Sequence, residues 1–111
     1  MEQKQLIEAT CPECRGPLSE VTRDPQVHEY QCLVGHKYSA RSLLEAHSET
    51  QEKTLWAAVL ALEESANMVS AVSGNFSTGT AARLLQQADR KLEQAAGIRK
   101  ILEALEPFAM E

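Results

Sequence analysis

Three cysteines and one histidine constrain this 111-residue chain more than anything else in it. They stand as Cys11-Pro-Glu-Cys14 and Cys32-Leu-Val-Gly-His36, a C-x2-C-x17-C-x3-H spacing. Two short-range pairs joined by a hairpin-length segment can converge on one tetrahedral ion with little loop strain. Three thiolates and an imidazole are the donor set that suits Zn²⁺, at about 2.0–2.3 Å. The spacing predicts one structural zinc site with Cys11, Cys14, Cys32 and His36 as ligands. Pro12 stiffens the first turn, while Gly16 and Gly35 supply backbone freedom through which amides can point at the sulfurs, so each pair reads as a rubredoxin-type knuckle. Four ligands close the coordination shell, and the metal's expected contribution is folding free energy.

Other uses of these residues fit less well. A Cys11–Cys14 disulfide or redox dithiol would leave Cys32 over, and such a dithiol belongs at a strand-to-helix junction within a βαβ pattern. Here Pro17 to Asp24 and Val27 to Gln31 read as the two strands of a hairpin. His28 lies as far from Cys32 as His36 does but has no turn residue beside it, whereas Gly35 completes a knuckle next to His36. His47, at helical spacing from Leu43 and Leu44, reads as a solvated or half-packed helix histidine.

Charge argues against a nucleic-acid partner. The chain carries a net charge of −5, and residues 1–38 hold four Lys/Arg against six Asp/Glu. Binding to phosphates needs cations that displace counterions, and the ribbon offers only Lys4, Arg15, Arg23 and Lys37. No stretch approaches the ~18 consecutive apolar residues of a membrane span, and the start MEQKQLIEAT lacks the apolar core of a signal peptide. A cytoplasmic chain with no membrane contact is expected, in keeping with thiols held reduced for metal binding.

The pattern changes near Tyr38. Prolines 12, 17 and 25 punctuate the chain before it, and only Pro107 follows. The division expected is a zinc ribbon at 1–38 and a helical hairpin at 39–111. Ser39 is the expected N-cap, its hydroxyl accepting from the amide near Ser42, of a helix running through His47 towards Val72. Leu55, Val59, Leu62, Ala66 and Val69 recur at the four-three spacing of a coiled-coil seam. Ser73 to Gly79 then breaks the pattern, with Phe76 expected to fold back on the helices. A second helix is expected near Thr80, with Leu84, Ala88, Ala95, Ile98, Leu102 and Leu105 on one face and Leu85 and Leu92 at its margin. The two helices should pair as an antiparallel hairpin, and Gly97, costing about 1 kcal/mol relative to alanine, suggests close helix approach.

Catalytic patterns are missing. The run from Gly74 to Thr80 imitates a phosphate-binding loop, but Thr80 stands where lysine is needed and a helix precedes it. No Gly-x-Ser-x-Gly elbow occurs, no histidine has an orienting acid beside a nucleophile, and Glu63 with Glu64 reads as an exposed helix face. Trp56, the only tryptophan, lies one residue off the seam and with Leu60 forms a second apolar stripe that two helices cannot cover. It is expected to pack on the ribbon or on the flank of the second helix, or else to anchor a partner.

Cys11-Pro-Glu-Cys14, the segment Tyr30 to Ser39, the step Ser42-Leu-Leu44 and the run Thr54 to Glu64 together resemble a zinc-ribbon and helical segment. That segment follows the catalytic domain of some bacterial chemotaxis protein-glutamate methylesterases, and the likeness covers about residues 8–70. The resemblance implies a bacterial protein in chemotaxis-like signalling, with the same Cys11, Cys14, Cys32 and His36 as ligands. It does not imply esterase activity, because no residue matches that family's catalytic motifs. Arg15 stands where that pattern has glycine, so a positive φ there would strain the backbone by about 1 kcal/mol, and Leu60 replaces an arginine. The reading as a whole is an α+β chain, a small rubredoxin-like ribbon followed by a long helical hairpin. It is read as a non-enzymatic adaptor that docks on itself as a dimer or on a signalling protein, without a small-molecule substrate. A nucleic-acid-associated regulatory ribbon is the alternative, and an enzyme with an open zinc site a third class.

Overall fold

The computed structural model describes residues 2–110 and is α+β. Four antiparallel strands, β1 (Gln3–Thr10), β2 (Pro17–Asp24), β3 (Val27–Cys32) and β4 (Lys37–Tyr38), form one sheet in the order β1-β2-β3-β4. Two helices follow, α1 (Ala40–Val72) and α2 (Thr78–Ala104), joined by a short 3-10 turn at Ser73–Asn75. The chain divides into two compact units, one reaching to Thr50 and taking in the segment from Pro107, the other Gln51–Glu106.

In the first unit β2 is paired on both sides, and its Leu18 and Val21 are fully buried. The β2–β3 turn is set by Asp24, whose Oδ1 accepts from the Gln26 amide at 2.8 Å, with Pro25 between them. Strand β1 was not foreseen: most of its side chains are exposed, and only Ile7 and Ala9 alternate inward. Its pairing shifts between Leu6 and Thr10, an irregularity that precedes Cys11. Strand β4 is two residues long and places Tyr38 opposite Tyr30. Cys11, Leu18, Cys32, Tyr38 and Leu43 make one core cluster, with Ile7, Ala9, Tyr30 and Ala46 against it.

Ser39 caps α1 reciprocally, its hydroxyl accepting from the Ser42 amide at 3.1 Å while its own amide donates to the Ser42 hydroxyl at 2.9 Å. The first turns of α1 then lie over the approach to Cys11: His47 Nε2 is 3.0 Å from the Thr10 carbonyl, and the Thr50 hydroxyl donates to the Pro12 carbonyl at 3.3 Å.

The second unit is a helical hairpin. Val59, Ala66, Ala88 and Ala95 are its buried side chains, and Leu55, Leu62, Val69, Leu84, Ile98, Leu102 and Leu105 are half-buried around them, the seam expected from spacing. Ser77 caps α2 by accepting from the Thr80 amide, so this helix starts two residues before the expected Thr80. Two details depart from expectation. Phe76 at the turn is 50% exposed rather than folded back, and Gly97 has nothing within 4 Å of where a Cβ would stand, so no close approach requires a glycine there. Glu63, expected on an exposed face, pairs with Arg99 across the hairpin at 3.1 Å, and the Arg99 guanidinium stacks 5.1 Å from the Trp56 ring centre. Trp56 thus packs on the flank of α2 and stays 41% exposed. By length and composition α1 is only marginally apolar enough to cross a membrane.

Magnitudes rank these contacts. A half-exposed ion pair contributes about 0.5 kcal/mol and an exposed cation–π contact about as much, so the two Arg99 contacts together are worth about 1 kcal/mol, whereas emptying a sealed core site costs about 2 kcal/mol. Val59→Ala should therefore lower the stability of the helical unit by about twice as much as Arg99→Ala. Urea unfolding followed by helical circular dichroism reads both, and an Arg99→Ala loss as large as that of Val59→Ala would reverse this ranking.

Candidate metal centre

The two knuckles are built by backbone hydrogen bonds that follow from their residues. In the first, the Arg15 amide donates to the Cys11 carbonyl at 2.8 Å and the Cys11 amide to the Gly16 carbonyl at 2.7 Å. In the second, the Gly35 amide donates to the Cys32 carbonyl at 3.2 Å and the Cys32 amide to the His36 carbonyl at 3.1 Å. Gly35 sits at φ 101°, a conformation that favours glycine. The first knuckle makes the equivalent bend at Arg15, with φ 65°, and Gly16 is not the residue in the left-handed region. A Cβ at Gly16 would stand 3.4 Å from the Cys14 sulfur, at the near edge of ordinary contact.

The sulfurs of Cys11, Cys14 and Cys32 and a ring nitrogen of His36 lie within 4.8 Å of one another. The Cys14 and Cys32 sulfurs are 3.7 Å apart, and His36 Nδ1 is 3.5 Å from the Cys11 sulfur and 3.3 Å from that of Cys32. A tetrahedral ion with sulfur at about 2.3 Å and nitrogen at about 2.0 Å sets its sulfurs about 3.8 Å apart and each sulfur about 3.5 Å from the nitrogen. The donor set and its spacing fit such an ion, and thiolates with imidazole in tetrahedral array suit zinc among the common metals. The geometry brings together all four residues singled out by spacing, and His28 is not among them. His28 Nδ1 is 2.7 Å from Glu20 Oε1, out on the sheet.

Amides and one phenol face the sulfurs. Burial pushes the Cys11 thiol up, but the Tyr38 hydroxyl and the amides of Cys14 and Glu13 outweigh it and hold the thiol at about 6, down from 9.0. At Cys32 burial is likewise overcome, here by the amides of His36 and Val34, the former 3.4 Å from the sulfur. Cys14 moves the other way: the Gly16 amide favours its thiolate, but burial and the neighbouring sulfurs prevail. His36 is raised by the Cys11 and Cys32 sulfurs against the pull of burial. Burial and the Cys11 sulfur keep the Tyr38 phenol neutral, so it donates to Cys11 at 3.5 Å. Without metal, the stability contributed by Cys11 is fully present above pH 9 and is lost as pH falls through about 6. That contributed by His36 is present below its ordinary 6.5 and is lost as pH rises through its raised value. A bound cation replaces protons at all four ligands, so acid competes with it.

Two partners of the site were not singled out from sequence. Tyr38 follows His36 by two residues in a segment that closes the sheet, a signal available in the chain. Glu13, inside the first Cys pair, places Oε2 3.0 Å from His36 Nε2, which only the fold brings about. No protein-family model, curated protein or solved structure matches the chain.

A non-glycine residue in the left-handed region is strained by about 1–2 kcal/mol, and glycine's freedom in the unfolded chain offsets about half of that. Arg15→Gly should raise the stability of the metal-loaded ribbon by about 0.5–1 kcal/mol, read from its denaturation midpoint. A destabilised Arg15→Gly would mean that the arginine side chain has a role its backbone does not reveal.

Proposed function

We propose that the chain is a non-enzymatic interaction module whose ribbon is stapled by one structural Zn²⁺ bound to Cys11, Cys14, Cys32 and His36. The observation that carries this reading is the convergence of three sulfurs and one imidazole nitrogen within 4.8 Å, four donors being the number that a closed structural zinc shell takes. The first unit is small, and two of its buried core residues, Cys11 and Cys32, are the proposed ligands themselves. A ribbon of this size needs a staple.

The helical hairpin is the proposed docking element. Trp56 and Leu60, one turn apart on α1, are 41% and 52% exposed. Leu85 and Leu92, each 44% exposed, share a stripe with Arg99 on α2, and Arg99 touches Trp56, so both stripes lie on one flank. Tryptophan and arginine beside exposed leucines are the residue types that anchor interfaces. A second copy is the proposed occupant, giving a four-helix pairing, and a signalling protein presenting a similar face is the other. The setting we propose is bacterial chemotaxis-like signalling in the cytoplasm, on the strength of the resemblance in residues 8–70. Glu63 and Glu64 midway along α1 disfavour a membrane for this helix. The nucleic-acid alternative is weakened because Arg23, one of the few ribbon cations, is engaged by Glu2 and Glu29.

One equivalent of zinc should copurify with the reduced chain. Chelation or Cys32→Ser should collapse the ribbon while leaving most of the helical dichroism, because the hairpin has its own buried seam. Less than half an equivalent of zinc under metal-replete conditions, or ribbon resonances unchanged by chelation, would refute the staple.

The native chain should sediment as a dimer at micromolar concentration, and a Trp56→Ala, Leu60→Glu variant as a monomer. A monomeric native chain with Trp56 shielded from quenchers would refute docking through this flank.

A further inference from the structure

We infer that Glu13 is a positioning residue for the metal centre, its carboxylate lying 3.0 Å from Nε2 of His36 and drawing the ring proton to that side, so that Nδ1 is the atom presented to the ion. The inference rests on the zinc reading above and adds to it which nitrogen binds and what holds it. The imidazole has two faces in this structure. Nδ1 lies 3.5 Å from the Cys11 sulfur and 3.3 Å from the Cys32 sulfur, inside the donor set, and Nε2 lies 3.0 Å from Glu13 Oε2, outside it. A neutral imidazole has one N–H and one lone pair, so a carboxylate on Nε2 fixes the proton there and leaves the lone pair at Nδ1.

The residue's place in the chain serves this purpose. Glu13 stands between Cys11 and Cys14, in the turn whose amides face the Cys11 sulfur, so its backbone is fixed by the same knuckle that holds two of the sulfurs. The second knuckle brings His36 to it. One carboxylate therefore ties the two halves of the ligand set together from outside. Its negative charge also raises the basicity of the bound imidazole, an effect seen widely where a ligating histidine hydrogen-bonds a carboxylate. The Glu13 side chain is 58% exposed, so water can replace it without leaving a buried charge unpaired, and its removal tests the contact rather than the fold.

The test is zinc affinity of the full-length chain, measured by competition with a chromophoric chelator, for the native protein, Glu13→Ala and Glu13→Gln. Losing the carboxylate should weaken zinc binding 10–100-fold in Glu13→Ala. Glu13→Gln, whose amide oxygen still accepts from Nε2–H, should recover part of that loss. Nitrogen-15 spectra of the zinc-loaded native chain provide a second readout that needs no variant to fold, and should show His36 metal-bound at Nδ1 and protonated at Nε2. Affinity of Glu13→Ala within twofold of native, or His36 bound through Nε2, would overturn the role of Glu13 while leaving the zinc site standing. A native chain that took up no zinc would overturn both.

Discussion

Everything in the first unit depends on four side chains from two distant turns being held within bonding distance of one ion. Three sulfurs within 4.8 Å of one another repel as thiolates and gain little as thiols, so the arrangement is costly unless a cation or directed N–H groups offset the charge. The chain supplies the second of these: amides of Glu13, Cys14, Gly16, Val34 and His36 and the Tyr38 hydroxyl surround the sulfurs. What they cannot supply is cohesion. The core cluster around the site consists of five buried residues, Cys11, Leu18, Cys32, Tyr38 and Leu43, and two of these belong to the Cys/His cluster. A core this small leaves a domain marginal against the conformational entropy of its strands. Metal binding of about 10–16 kcal/mol in apparent free energy is of the size needed to close that gap.

The second unit solves the same problem without metal. Its seam repeats at helical spacing, and small residues at the centre, Ala66, Ala88 and Ala95, let two helices share one narrow core around Val59. A two-helix unit buries only one stripe per helix. The cost is visible on the flank carrying Trp56, Leu60, Leu85 and Leu92, where the Arg99 guanidinium and Glu63 provide only a thin polar cover. The two units thus leave different groups uncovered, one a cluster of sulfurs and the other a flank of apolar side chains.

The parts of this fold that were legible in the sequence are those governed by local periodicity or by ligand spacing. The seam from Leu55 to Val69, the cap at Ser39 and the β2–β3 hairpin each announce themselves within a few residues. So does the ligand set, because C-x2-C and C-x3-H are turn-sized motifs. Strand β1 was not legible because its outward positions, Gln3 and Gln5 among them, are polar or exposed and its pairing is irregular, leaving no clean alternation. In the first knuckle residue type points to Gly16 for backbone freedom, but the φ 65° falls on Arg15, the position that the resemblance, with its usual glycine there, singles out. Glu13 could not be recognised as a partner of His36 from a chain in which 22 residues separate them. Phe76 and Gly97 show the converse error, in which a residue type suggests packing that the turn and the helix do not make.

The most direct test of the account is the zinc absorption-edge spectrum of the purified, reduced chain, because it reports the ligands of the ion rather than the consequences of binding. The account predicts a single shell of three sulfurs at about 2.3 Å and one nitrogen at about 2.0 Å. A shell dominated by nitrogen or oxygen, or one with two sulfurs or fewer, would contradict it.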